Sequence, residues 1–258
     1  MQARLNRLTD APVGVVGAGR LGGALAAALL GEGIPVEGPA GRGEVPAGCQ
    51  AILLCVPDSE IEAAAQTVAG AAPFVGHVSG ATPLAALEPA IRRGAEGFGL
   101  HPLQTFAPAP ASVELAGAGC AVAGSSSAAL ALARELALVL GMEPFEIDDD
   151  GRAAYHAAAS MASNFLLALE AAAERVAGAA GLDEEEARAL LAPLVRTTVE
   201  NWIALGPERA LTGPVARGDE QTVRAQRAAV ETAAPELLPV FDSLLSETRS
   251  LAGRRVPA

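Results

Sequence analysis

Lysine is absent from this 258-residue chain: all 18 of its basic residues are arginine. That excludes Schiff-base chemistry and any lysine acting as general acid or base, and with them several dehydrogenase mechanisms. Aromatic residues make up only 3% of the sequence, although 51% of it is hydrophobic. A core must therefore be assembled from Ala, Leu and Val. Such side chains bury little area each, which favours closely packed helices or a partner subunit. Positive charge is scarce as well. The net charge is -12 and the arginines are scattered, which argues against nucleic acid or an anionic membrane as partner. Cys49, Cys55 and Cys120 show no Cys-x-x-Cys spacing, and Cys55 sits in an apolar run like an ordinary small core residue. An odd, unpatterned set points to a reducing compartment. The three histidines are far apart in sequence, so no metal site is expected. No segment offers eighteen apolar residues without charge or Pro/Gly breaks, and Met1 to Ala11 mixes polar and charged residues. The expected protein is soluble and cytoplasmic.

Glycine, in contrast, is plentiful, and one group of glycines organises the chain. The apolar stretch Pro12 to Val16 leads straight into Gly17-Ala18-Gly19-Arg20-Leu21-Gly22, and an Ala/Leu-rich run, Ala24 to Leu30, follows. This predicts a short buried strand, a glycine turn and a helix. Gly17 permits a tight turn, Gly19 lets a pyrophosphate lie against bare backbone, and Gly22 lets helix and strand pack closely. The phosphate would then rest on free N–H groups at the positive end of a helix dipole. Gly-x-Gly-x-x-Gly alone is a weak signal among 28 glycines; the strand before it and the helix after it make it a dinucleotide-binding signal.

Beyond the turn, strands and helices alternate. Strands are predicted at Ile34 to Glu37, Ala51 to Val56, Phe74 to Val78, Gly94 to Leu100, Gly119 to Ala123 and Met142 to Ile147. The segment Gly38 to Gly48 reads as a loop. Helices are predicted from Asp58 or Ser59 (one of them the cap) to Gly70, from Pro83 to Arg93 and from Ser127 to Leu140. The alternation implies an α/β fold, a Rossmann-type doubly wound and mainly parallel sheet. After Asp148-Asp149-Asp150-Gly151 the pattern becomes wholly helical. Arg152 to Ala180 reads as one long Ala-rich helix, with Phe165, Leu169, Ala172 and Val176 on one face. Asp183 caps a helix running to Leu205, Gly206-Pro207 and Gly213-Pro214 punctuate a connector, Asp219 caps a further helix, and a last one spans Pro235 to Leu251. The expected domains are residues 1–149, dinucleotide-binding, and residues 150–258, an all-α region for substrate and dimerisation.

In an open parallel sheet, ligands sit beyond the carboxyl ends of the strands. Those ends carry the glycine turn, Val56-Pro57-Asp58, Ser79-Gly80 and His101. His101, neutral or cationic near pH 7, can protonate an oxygen or nitrogen that receives a hydride; the alternative is a histidine satisfied by a backbone carbonyl beside Pro102. Ser79 reads equally as a ligand to cofactor or substrate and as a turn cap. Gln104 can add a hydrogen bond to the same pocket. Tyr155 and His156 can face the substrate from the helix that follows, whereas His77 reads as structural. Asn164 and Arg217 are further substrate candidates, Arg217 for a carboxylate; each can equally serve packing. Glu37 lies twenty residues after Gly17, where an acid holds the ribose hydroxyls of NAD. Arg42, just past that strand, and Arg20, inside the turn, favour the extra phosphate of NADP. NADP is the cofactor expected, with NAD the alternative.

Several motifs together carry a resemblance. They are the glycine turn, Leu54-Cys55-Val56-Pro57-Asp58, Val78-Ser79-Gly80, His101-Pro102-Leu103-Gln104-Thr105-Phe106, Tyr155-His156-Ala157-Ala158-Ala159 and the run Ala210 to Asp219. The chain resembles the Rossmann-like candidate NADP oxidoreductases whose C-terminal half is a helical domain of unknown function. More distantly it is similar to pyrroline-5-carboxylate reductase, ketopantoate reductase and prephenate dehydrogenase, which join a dinucleotide domain to a helical, often dimerising, one. In the prephenate enzymes a His-Pro after a late strand lies near the reacting carbon, and His101-Pro102 looks similar. Common ketopantoate reductases rely on a lysine, which this chain lacks. The resemblance implies a reductase scaffold and names no substrate. The expected protein is an NAD(P)-dependent oxidoreductase acting on a small carboxylate-bearing carbonyl or imine, such as the 2-oxoacid ketopantoate, and a homodimer, because an Ala-rich helix apolar on several faces needs a partner to bury it. A non-catalytic dinucleotide-binding sensor or scaffold is the other reading.

Overall fold

The computed structural model describes residue 8 and residues 10–108 and 113–254. Contacts divide the chain into two compact units, Met1–Ser163 and Asn164–Ala258. The sequence reading divides it at residues 149 and 150, where strands give way to helices; the difference is the helix Arg152–Ala162, which clusters with the first unit.

Seven strands form one sheet: β1 (Val13–Val16), β2 (Val36–Ala40), β3 (Ala51–Leu54), β4 (Phe74–His77), β5 (Glu96–Pro102), β6 (Gly119–Gly124) and β7 (Glu143–Glu146), in the order β2-β1-β3-β4-β5-β6-β7. Every residue of β1 and β3 is buried, as continuous apolar runs must be when helices cover both faces. All neighbours pair in parallel except β5 and β6. The described residues between those two strands contain no helix. Without a crossover helix the chain returns alongside the strand it has left, which is antiparallel pairing. Helices α1 (Arg20–Gly31), α2 (Ile61–Thr67), α3 (Glu88–Ile91) and α4 (Ser127–Val139) complete the layers.

Some boundaries depart from expectation. The second strand starts at Val36 rather than Ile34 and takes in Gly38-Pro39-Ala40, which reads as loop in the sequence. It can do so because residue 38 is glycine: φ is +112° there, and a Cβ would press on the Val15 carbonyl of β1. Asp58 and Ser59 make no side-chain cap; the segment opens as the 3-10 turn Asp58–Glu60 before α2. The helix expected from Pro83 is the 3-10 turn Leu84–Leu87 followed by α3. Pro89 lies at the start of α3 and has no N–H to continue an α ladder through that point.

The expected single helix Arg152 to Ala180 is broken at Ser163, whose φ and ψ are -122° and -76°. Ser and Asn, at 163 and 164, compete with helix through their own hydrogen bonds. The pieces are α5 (Arg152–Ala162) and α6 (Asn164–Ala177), followed by the 3-10 turn Gly178–Ala180. In the second unit α6 is followed by α7 (Glu184–Leu205), α8 (Pro207–Ala210), α9 (Gly213–Arg217), α10 (Glu220–Ala233) and α11 (Leu238–Gly253). Asp183 caps α7 in a capping box with Glu186, and Asp219 caps α10 by accepting from the Thr222 N–H, devices that each contribute about 1 kcal/mol. A helix apolar on most faces is expected to be buried on most faces, yet α6 has no buried residue. Among the described residues no helix is long and apolar enough to cross a membrane.

Candidate active site

The register of the sheet builds the site. Val16 lies beside Leu54, Leu54 beside His77, and His77 beside Gly99. Because these strands run parallel, the residues two positions on from that row share one edge: Ala18, Val56, Ser79 and His101. Chain order reverses at β1, with β2 on one side and β3 on the other, and the crevice at such a reversal is where nucleotides bind.

A cleft of about 540 Å³ opens there, lined by Gly17, Ala18, Gly19, Arg42, Val56 and Pro57 among others. The three glycines of the turn have three different surroundings. Gly17 has φ +110°, and a Cβ on it would strike the Cys55 carbonyl. A Cβ on Gly22 would strike the Gly17 carbonyl. A Cβ on Gly19 would meet no atom within 4 Å. The first two glycines are demanded by the fold itself. The third leaves bare backbone facing open space, and no side chain caps the N-terminus of α1, which begins there. Free N–H groups and unfilled room at a helix N-terminus are what a pyrophosphate needs. Arg20 is exposed in the first turn of α1, and Leu21 packs partly against the core.

Past the end of β2, Arg42, Glu44 and Glu60 line the cleft, and Glu44 accepts from the Gly41 N–H. Glu37 is exposed in mid-strand, beside Gly14, and does not line the cleft. Arg42 does line it. Its side chain is 84% exposed and pairs with Glu60 at 3.2 Å, a surface ion pair weak enough to be exchanged for a phosphate. Asp58 is exposed after β3.

A second cluster stands at the ends of β4 and β5. The Nδ1 atom of His101 is 2.7 Å from the Tyr155 hydroxyl. A Cβ on Gly80 would lie 2.7 Å from His156 Nδ1 and 2.9 Å from His101 Nε2, so both ring nitrogens crowd the same bare backbone. His156 Nδ1 is buried without a partner. His77, fully buried on β4, accepts the Ser79 N–H at Nδ1 (3.2 Å), leaving its buried Nε2 without a partner. Arg152 is 4% exposed. All three histidines of the chain thus meet here, together with its one tyrosine. Even so, no group of three His, Cys, Asp or Glu among the described residues is arranged to hold a metal.

The environment sets the charges. Burial is the main cause that lowers the His101 pKa to about 4; His156 and Arg152 lower it further, and Asp58 opposes them. His77 is also lowered to about 4, by burial first and then by Arg152 and His101 against Asp58 and Asp149. Burial pushes the Tyr155 phenol up to about 12. His101 is therefore neutral at pH 7, which corrects the expectation of a group poised between neutral and cationic. With a protonated phenol beside Nδ1, the natural arrangement is Tyr155 donating to His101, whose remaining proton is then on Nε2.

The other candidates fall in different places. The Ser79 hydroxyl accepts from the Ala81 and Thr82 N–H groups and bonds the Thr82 hydroxyl; it shapes the turn that presents Gly80. Gln104 is tied to its own loop through the Glu114 carbonyl and the Thr105 N–H. Asn164 opens α6 and Arg217 closes α9, both exposed, in the second unit. Arg152 is the residue that sequence reasoning missed. Its signal was its spacing: Arg152, Tyr155 and His156 stand at i, i+3 and i+4, one face of an otherwise Ala-rich helix.

No curated protein sequence matches the chain significantly. Among solved structures, a candidate NADP oxidoreductase of Bacteroides fragilis is similar with a TM-score of 0.79 at 21% identity, covering 94% of this chain and 99% of that one. A protein of Thermotoga maritima is similar with a TM-score of 0.77 at 24% identity, covering 93% and 99%. The pyrroline carboxylate reductase of Plasmodium falciparum, solved with NADP bound, is similar with a TM-score of 0.61 at 11% identity, covering 95% and 99%. At these identities the likeness speaks for the fold, a Rossmann-type sheet followed by helices. The family described as a domain of unknown function, DUF2520, matches residues 118–248, just over half of the sequence, and the chain belongs to that family.

Proposed function

We propose that the chain is an NADP-dependent reductase of a small carboxylate-bearing carbonyl or imine, a 2-oxoacid such as ketopantoate being the leading specific case. One observation carries the reading: the glycine cradle and the His101–Tyr155 pair stand on the same edge of one sheet. The nicotinamide cofactor, when bound, supplies the hydride. Gly19 and the free N–H groups at the start of α1 hold the pyrophosphate, and Gly17 and Gly22 close the turn that presents them; Arg20 and Arg42 hold the adenosine phosphate; Val56, Pro57 and Asp58 form the neighbouring wall. Arg42 lines the cleft and Glu37 does not, which supports NADPH over NADH; of the acids that do line it, Glu44 is engaged by the Gly41 N–H and Glu60 by Arg42. His101 offers a neutral Nε2–H to the oxygen or nitrogen on which charge develops, and Tyr155 holds that ring in orientation. Likeness to a fold that a reductase with bound NADP shares supports the same direction. Residues 1–149 serve the cofactor and residues 150–258 serve substrate and assembly, as a homodimer. The three buried free thiols fit a cytoplasmic setting.

The test follows NADPH absorbance over a panel of 2-oxoacids and cyclic imines, after dissociation constants for NADPH and NADH are measured. Turnover of at least one carboxylate-bearing member is expected, with NADPH the tighter cofactor. Replacing His101 by Asn should lower kcat by about a hundredfold and leave NADPH binding intact. A protein that binds NADPH and reduces nothing, with His101→Asn indistinguishable from the natural chain, is the sensor or scaffold instead.

A further inference from the structure

Arg152 begins α5, and its side chain is 5% exposed. Its Nε donates to Asp149 at 2.6 Å, and Asp149 is itself 46% exposed. Neither Nη1 nor Nη2 bonds to any other described residue. A guanidinium taken this far from water normally has its N–H groups satisfied. Here the one fixed partner is on Nε, which locks the plane of the group and leaves the Nη1/Nη2 fork open.

The fork has a definite location. Nη2 lies 3.2 Å from where a Cβ on Gly99 would be, so the absence of a side chain there makes its room. Gly99 and His101 are two residues apart on β5 and face the same side of the sheet. On α5, Arg152, Tyr155 and His156 share one face. Tyr155 bonds to His101, and His156 meets His101 over Gly80. The guanidinium fork thus lies over Gly99, level with the last residue of β4, and the His101 ring and the unpartnered His156 Nδ1 lie over Gly80 just beyond it. The histidine here is uncharged and Asp149 engages Nε alone, so what the fork lacks is a planar anion with two oxygens.

We propose that Arg152 is the carboxylate anchor of the substrate site, binding a 2-oxo or 2-imino acid bidentately through Nη1 and Nη2 while the adjacent oxygen or nitrogen meets His101 Nε2–H. A guanidinium fork and a carboxylate match in geometry, and neutral donors next to the fork suit the second, uncharged group of such an acid. This rests on the reductase reading and gives it a substrate class.

The experiment titrates the full chain, saturated with NADPH, with oxamate and with its neutral counterpart oxamide, read by calorimetry and by the histidine ring signals in NMR. The natural chain should bind oxamate and prefer it to oxamide. Arg152→Gln should weaken oxamate by at least about tenfold, the loss typical of a charge-assisted bond, with NADPH affinity retained. Arg152→Lys, which keeps charge without the fork, should fall between and covers the case in which the Gln variant does not fold. Asp149→Asn should keep most of the oxamate affinity; if it loses as much as Arg152→Gln, Arg152 is only a tether between α5 and the turn before it, and the proposal fails. It fails too if oxamate and oxamide bind alike, if oxamate does not bind, or if Arg152→Gln leaves the preference unchanged. Oxamate held by Arg152 with no 2-oxoacid reduced leaves the anchor standing and removes the reductase; reduction of 2-oxoacids indifferent to Arg152→Gln does the reverse.

Discussion

His101 and His77 both carry a pKa lowered to about 4, chiefly by burial. In the unfolded chain they titrate near 6.5. As pH falls from about 6.5 towards about 4, the unfolded state takes up protons that the folded state refuses, so folding free energy declines across that window and is fully present above it. Thermal unfolding midpoints should therefore fall by several degrees over this range. His101→Asn should make the fall shallower, since it removes one of the two refusing groups. Equal slopes for the variant and the natural chain would mean that the ring is not desolvated as described. What the sequence told about single residues follows the same division. The place of His101 near the end of β5 was legible from the run of apolar residues before it. Its charge was not, since that depends on His156, Arg152 and burial, all of them tertiary. Arg152 shares a helix face with Tyr155 and His156 by its spacing, but its burial was not legible: an arginine opening a helix looks solvated until the sheet is folded beneath it.

Elements were most legible where backbone sterics rather than packing decide. The glycine turn followed from residue type alone, because Gly17 and Gly22 stand against carbonyl oxygens and Gly19 against nothing. This separates the two kinds of glycine by experiment. Gly22→Ala forces α1 off β1 and should cost about 1–3 kcal/mol of stability, as overpacking does, along with NADPH binding. Gly19→Ala has room and an unstrained φ of -73°, so urea unfolding should be unchanged while NADPH affinity drops. Equal stability losses in the two variants would show that the turn does not work this way. Less legible was β2. Its extension through Gly38 depends on a close approach to Val15, and that approach displaced the expected loop. The break at Ser163 was hidden in the same manner, inside an Ala-rich run whose composition favours helix throughout.

For the whole molecule the open question is what covers the second unit. Phe165 and Leu167 on α6 are 61% and 68% exposed, and Trp202 and Ile203 on α7 are 56% and 71% exposed. Within the same unit, Leu169, Ala172 and Val176 line an apolar groove of about 390 Å³ with Val240, Phe241 and Leu244. The face of α6 foreseen from the spacing is thus turned partly into that groove and partly towards water. The small side chains explain why. Alanine fills little space, so helices built from it leave large apolar neighbours uncovered within a single chain. Isolated exposed leucines are ordinary, but several large apolar side chains exposed on α6 and α7 are what a subunit contact would cover. We predict that a second copy of the chain, paired about a two-fold axis, covers them with identical helices. Light scattering at micromolar concentration should then give twice the 25.8 kDa of one chain. Leu167→Glu should shift the protein towards the monomer, because a carboxylate buried at a symmetric contact meets its own copy or is left without a partner. A stable mass of one chain for the natural sequence sinks the dimer, and a dimer indifferent to Leu167→Glu moves the contact away from α6.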